Sequence, residues 1–331
     1  MLEQAPDQNA RRVLIRAMRL ADVTGKAEDE LVAAIEDRIA RLNSPDQNLR
    51  WEEYQQFVQH KQPFGENTEF EIRPAVPPPE LATWLESVTR ATRLREVRAL
   101  RGFTRVFPPS VGDDERIARI SVNQLTWLPA VENRGEGIFI QLNQDKLRSW
   151  ESKTVVVDRV TVLRKAYEQA WQDRGRPGAA PKLVTPRLLL IHSLAHALIR
   201  QVSLSCGYSS ASLRERLYVD AGPMWEMAGL LIFTSSPDAD GTLGGLARQG
   251  ESGNIVRVFE DALASMMWCS SDPLCIEGAH THARSRPNAC LLAAETSCEE
   301  FNSFLDRGLL VGTPAQPELG FFEDYLRELR S

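Results

Sequence analysis

The sequence lacks any run of 18 apolar residues. Its best candidate, 188–199, is interrupted by His192 and His196, so no membrane span is expected. The amino-terminal MLEQAPDQNARR contains no apolar stretch of the signal-peptide kind, and the expected location is the cytoplasm. Lysine is scarce: of 39 basic residues only six are Lys (26, 61, 146, 153, 165 and 182), leaving 33 Arg. Nor does basic charge dominate, since 45 acidic residues bring the net charge to −6, which argues against an autonomous nucleic-acid binder with one strongly basic face. No G-x-x-x-x-G-K-[ST] occurs. The single Gly-Lys pair, Gly25-Lys26, is followed by Ala27, so this chain is not a P-loop ATPase by itself. Five cysteines among 331 residues are too few for a disulfide framework in a cytosolic chain. Internal repeats and low-complexity tracts are absent as well.

What is present reads as a globular chain of about two domains. Residues 28–43 carry Leu31, Ile35, Ile39 and Leu42 at amphipathic-helix spacing, and 51–60 predict a second helix. RPAVPPPE at 73–80 is too rich in proline for helix and marks a linker. Leu81, Leu85, Val88, Leu94, Val97 and Leu100 then predict a helix over 80–101, studded with Arg90, Arg93, Arg95, Arg98 and Arg101 and followed by Arg105. Those arginines read as a solvated face or as an interface with a partner or phosphate. Residues 116–142 have strand texture and 143–173 helical texture. The Gly/Pro-rich 171–186 marks a second boundary or loop, and 187–202 is the strongest helix. Strands at 216–219 and 228–235, helices at 254–267 and 322–330, and a glycine-rich loop at 237–250 complete the pattern. The expected fold is α/β in the mixed α+β sense: an N-terminal helical region (1–74), a mixed middle region (80–182) and a C-terminal α/β domain (183–331).

Three groups of residues could carry chemistry. Cys269, Cys275, Cys290 and Cys298 follow C-x5-C, x14, C-x7-C. Thiolates suit tetrahedral zinc, but this spacing is looser than that of a zinc knuckle, and buried apolar cysteines remain the competing reading. His280 and His282 lie in the same window as substitute ligands. His192 and His196 stand four apart on the apolar helix, so they share a face. Ser193 occupies the glutamate position of H-E-x-x-H, which excludes the metalloprotease reading; the pair is expected to be hydrogen-bonded core, packing the helix on a sheet containing 229–234. Asp238 and Asp240 in D-x-D-G-x-x-G-G could hold Mg²⁺ or simply shape a tight loop. A metal-dependent nuclease or hydrolase built from His192, His196, Asp238 and Asp240 is the alternative function.

Several strings together resemble one family. HSLAHALI (192–199), CGYSSASLRERLYV (206–219), GLLIFTSSPDADGTLGGL (229–246), CSSDPLC (269–275) and ACLLAAETSCEEFNSFLDRGLLVG (289–312) are similar to the zinc-binding domain of MrfA-type helicases. That domain also ends the DrmB proteins of the DISARM anti-phage system. RLREVRALRGFTR (93–105) and GEGIFIQL (135–142) are similar to the DrmB side. The resemblance implies one structural Zn²⁺ held by Cys269, Cys275, Cys290 and Cys298. Family members often have a further cysteine where this chain has Pro287, which leaves the ligand set open. The chain is also shorter than a typical DrmB, as a reduced or split version would be. The implied function is that of a non-enzymatic subunit that binds a superfamily 2 DNA helicase and meets DNA through that complex. Arg93, Arg95, Arg98, Arg101 and Arg105 are the expected partner or nucleic-acid contacts.

Overall fold

Asp7 and Asn48 open two of the first helices. Asp7 Oδ1 accepts the Ala10 N–H at 2.8 Å, and Asn48 Oδ1 accepts the Trp51 N–H at 3.1 Å, each satisfying a backbone donor that a helix start leaves orphaned. The computed structural model describes residues 7–42, 48–60, 69–104, 117–123, 125–173, 175, 178–222, 224–234, 245–277 and 289–329. The chain forms two units, Met1–Phe70 and Glu71–Ser331. The first holds α1 (Gln8–Ala17), α2 (Leu20–Thr24), α3 (Glu28–Leu42) and α4 (Leu49–Val58), which include the helices expected at 28–43 and 51–60. Ile15 of α1 packs with Leu31 and Val32 of α3, and Arg16 grips Glu28 in a two-pronged pair at 2.7 and 2.9 Å.

The second unit runs β1 (Glu71–Ala75), β2 (Leu85–Ala99), β3 (Gly102–Phe103), β4 (Ala118–Arg119), β5 (Ala130–Leu142), α5 (Gln144–Glu151), α6 (Thr154–Asp173) and α7 (Pro186–Cys206). It continues with β6 (Leu213–Asp220), β7 (Met227–Thr234), α8 (Gly245–Arg248), α9 (Ser252–Met266), α10 (Leu274–Glu277), α11 (Gly308–Val311) and α12 (Glu323–Glu328). Five strands make one antiparallel sheet in the order β1-β2-β5-β7-β6, so the fold is α+β. Strands from both sides of residue 183 share this sheet, and the boundary expected there lies inside one unit.

The helix expected over 80–101 is instead strand β2 for most of its length. The register explains the misleading spacing. Leu85 and Ser87 face Leu142 and Gln141, and Ala91 and Leu94 face Gly137 and Gly135. Each interval inserts one extra residue on β2, a β-bulge. The bulges set the steps 85→88 and 91→94, whereas Val88 and Ala91 are joined by unbroken register and lie on opposite faces, both buried; apolar residues at 85, 88, 91 and 94 thus imitate a helix. The expected linker at 73–80 is also partly strand. Pro74 sits in β1 at the sheet edge, a place that tolerates a residue with no N–H to donate.

Helix α7 is the spine of the core. Thr185 Oγ1 accepts the Leu188 N–H at 3.1 Å, Pro186 follows at the first turn, and Gly207 closes the helix at φ +75°, the left-handed conformation that glycine reaches without strain. Every residue from Arg187 to Ile199 is buried, as expected for a helix apolar all round. This helix is long and apolar enough to cross a bilayer, but here those side chains join Val88, Ile138, Ile140, Leu217, Leu230 and Ile232 of the sheet in one core. Among its buried polar residues, Arg187 stands at the start of the helix. Its guanidinium forms a fork on Glu151 at 3.0 and 3.0 Å and donates to the Asp220 and Met227 carbonyls at 2.9 and 3.1 Å. It thereby ties the start of α7 to the end of β6 and the beginning of β7. Thr185→Ala removes the cap and is expected to cost about 1 kcal/mol, read as a lower urea midpoint at unchanged slope; an unchanged midpoint would show that Pro186 and packing suffice to start the helix.

Candidate metal centre

Cys269 and Cys275 bracket SSDPL, and Asp272 shapes the turn between them. Its Oδ2 accepts the Cys269 N–H at 2.9 Å. Buried Arg307 donates to Asp272 Oδ1 and, at 2.8 Å, to the Met266 carbonyl. Cys290 comes 15 residues later in the chain, yet its Sγ lies 3.6 Å from Cys275 Sγ. The sulfurs of Cys269, Cys275 and Cys290 all fall within 4.8 Å of one another. Two thiolates held at about 2.3 Å by one tetrahedral zinc are about 3.8 Å apart, whereas a disulfide requires about 2.05 Å. The donor set therefore fits a metal and not a bond between sulfurs.

Electrostatics point the same way. Burial pushes the Cys275 thiol up and the Cys290 thiol up to about 12, while a backbone hydrogen bond at Ser271 draws Cys269 down. A bound dication replaces the protons and removes that burial penalty. Three thiolates outweigh a dication by one negative charge, and Arg307, which interacts electrostatically with Cys275 and Cys290, is a nearby cation.

Cys298, expected as the fourth ligand, is placed elsewhere. Its segment is stitched to β6 and the turn before it: Ser297 Oγ donates to the Ser210 carbonyl at 2.6 Å, Glu299 N–H donates to Glu215 Oε1 at 3.1 Å, and Leu217 N–H donates to Glu299 Oε2 at 3.0 Å. These bonds carry Cys298 toward α7, where it joins His192, His196 and Glu215 in a second buried group. His192 Nε2 is 3.1 Å from both Cys298 Sγ and Glu215 Oε1, and His196 Nε2 is 3.5 Å from Glu215 Oε2. The two histidines are buried and hydrogen-bonded, with the Phe304 and Leu291 carbonyls as partners. Sequence reasoning misses Glu215. Its one signal is an acid in step with Leu213 and Leu217 on the buried face of a strand.

One ion pair links the two groups. Arg159 Nε and Nη2 meet Asp306 at 2.8 and 3.2 Å, with both side chains buried. Arg159 Nη2 also holds the Ile276 carbonyl, next to Cys275, at 2.8 Å, while Asp306 N–H donates to Ser193 Oγ, next to His192, at 2.8 Å.

The other expected site residues lie apart or outside the described set. Asp238, Asp240, His280, His282, Pro287 and Arg105 are outside the described residues. Arg93, Arg95, Arg98 and Arg101 belong to β2 and the turn after it. Arg93 lies 3.6 Å from Glu71, Arg95 2.7 Å from Glu132 and Arg98 3.1 Å from Glu96, so three of these arginines face carboxylates of this chain.

Residues 194–299 match the MrfA Zn-binding domain. That span contains His196, Glu215, Cys269, Cys275, Cys290 and Cys298, and His192 stands just ahead of it. Zinc is the structural cofactor of this domain. A longer likeness is to the DISARM protein DrmB of Bacillus paralicheniformis, 33% identical over 266 residues, which are 78% of this chain and 46% of that protein. The chain thus spans about half the length of the curated relative it matches. Taken with the metal-binding geometry, these likenesses identify the chain as a DrmB-like protein carrying an MrfA Zn-binding domain.

Proposed function

We propose that this chain is a non-catalytic subunit of a DISARM-type anti-phage defence system, working in the cytoplasm beside a superfamily 2 DNA helicase and helping it engage foreign DNA. The observation that carries this reading is the 33% identity to DrmB over 78% of the chain. Within it, Cys269, Cys275 and Cys290 hold one structural zinc. Among the described residues these three thiols are the donors that lie within reach of one ion. The metal, when bound, crosslinks the SSDPL turn to the Cys290 segment; the residues around it brace that crosslink through Asp272 and Arg307.

The partner contact is assigned to the far end of β2, the start of β5 and the residues flanking them. Val97, Leu100, Phe103, Trp127, Leu128 and Val131 are all exposed there, among the paired arginines described above. Apolar and aromatic side chains beside arginine suit a protein surface, and arginines already facing carboxylates are poorly placed to collect phosphates. DNA affinity of the isolated chain should accordingly be weak and salt-dependent. A permanent interface of this kind buries more than about 2,000 Å². The test is co-expression with a DISARM helicase, followed by size exclusion at moderate salt. Co-elution is expected, together with a change in DNA binding or ATPase rate, and Trp127→Glu should weaken co-elution without lowering thermal stability. Separate elution with no effect on the helicase would overturn the reading.

A further inference from the structure

The group around His192 has more acceptors than its own protons can reconcile. His192 Nδ1 lies 3.3 Å from the Phe304 carbonyl and His196 Nδ1 lies 2.6 Å from the Leu291 carbonyl. A carbonyl only accepts, so each ring places its N–H on Nδ1 and turns the Nε2 lone pair inward. Those lone pairs meet the Glu215 carboxylate and Cys298 Sγ. The sulfur already receives N–H bonds from Glu300 at 3.3 Å and Asn302 at 3.1 Å, and Glu215 Oε1 receives one from Glu299. Every one of these donors approaches from outside the group. Among the described residues, His196 Nε2 and Glu215 Oε2 have no hydrogen-bond partner, although both side chains are fully buried.

We propose that His192, His196, Glu215 and Cys298 form a second metal centre, a closed tetrahedral N2OS site for zinc or a similar divalent transition ion, separate from the three-cysteine centre. Ligands at about 2.0–2.3 Å on one tetrahedral ion lie about 3.3–3.6 Å apart, and the observed separations of 3.1, 3.1 and 3.5 Å need only slight opening. One carboxylate and one thiolate neutralise a dication, which suits a site buried on all sides. The carbonyl on each Nδ1–H is the outer support that metal-bound imidazoles require. With four protein ligands there is no open position for water, so the centre is structural: it staples α7 and β6 to the Cys298 segment.

Metal content of the full chain, purified without chelator, tests this. Wild type is expected to hold two equivalents, with Cys275→Ser and Cys298→Ser each losing one. Cobalt substitution supplies a measurement that does not require a destabilised variant to fold: the wild-type spectrum should contain, beside the thiolate-rich centre, a second component with the charge-transfer intensity of a single thiolate. Glu215→Gln, the mildest change, should shift that component alone. One equivalent lost only in Cys298→Ser would support the second centre and overturn the three-cysteine site. One equivalent lost only in Cys275→Ser, with a cobalt spectrum indifferent to Glu215→Gln, would overturn the proposal.

Discussion

Cys275→Ser is expected to remove one zinc equivalent and destabilise the second unit by several kcal/mol, on the order of 5, because the free energy of binding a structural metal is folding free energy. For a unit of this size that corresponds to a fall in melting temperature of roughly 10–20 °C. The sulfur lies 3.6 Å from Cys290 Sγ and carries the carboxy-terminal side of the SSDPL turn. Serine retains the size of the side chain but not the soft donor, so the change isolates the metal from packing. Chelation of the wild type should reproduce most of the loss, and calorimetry with parallel metal analysis measures both. If Cys275→Ser keeps its zinc, or loses zinc with no change in melting temperature, these sulfurs are buried apolar groups and no more.

The parts of the fold legible in the sequence are those whose local pattern and tertiary role agree. Helix α7 is legible because a cap, a proline and a continuous apolar stretch all give one answer. Strands β6 and β7 are legible for a similar reason, their apolar runs lying between turn residues. Strand β2 is not, because two bulges and burial on both faces space its apolar residues three apart, and only the partner strand reveals the bulges. The candidate centre shows the same division. Clustering along the chain leads to Cys269, Cys275 and Cys290, which do converge. It also groups Cys298 with them, and there proximity in sequence misleads. Hydrogen bonds from Ser297 and Glu299 to β6 and the turn before it decide where Cys298 goes, and such long-range pairing leaves no trace in spacing. Glu215 escapes notice because a single acid in a strand looks ordinary until two histidines of another element face it.

Arg159→Met is expected to cost about 3–5 kcal/mol, the usual penalty for removing one partner of a buried ion pair. Asp306 would remain with its side chain 1% exposed and would retain the Gly308 N–H at 2.9 Å as its described donor. Methionine matches the apolar length of arginine, so the loss reflects the stranded carboxylate and the Ile276 carbonyl rather than a cavity. Asp306→Leu alone strands the guanidinium in the same way. The double variant should therefore recover part of the loss, since replacing both charges with apolar groups is far cheaper than removing one. The position of the pair adds a second expectation. Arg159 holds the backbone beside Cys275, and Asp306 holds the serine beside His192, so Arg159→Met should release zinc to a chelator faster than wild type under native conditions. Urea unfolding measures the first effect and chelator-competition kinetics the second. Equal release rates at reduced stability would mean that the pair supports the core without steadying the metal-binding segments.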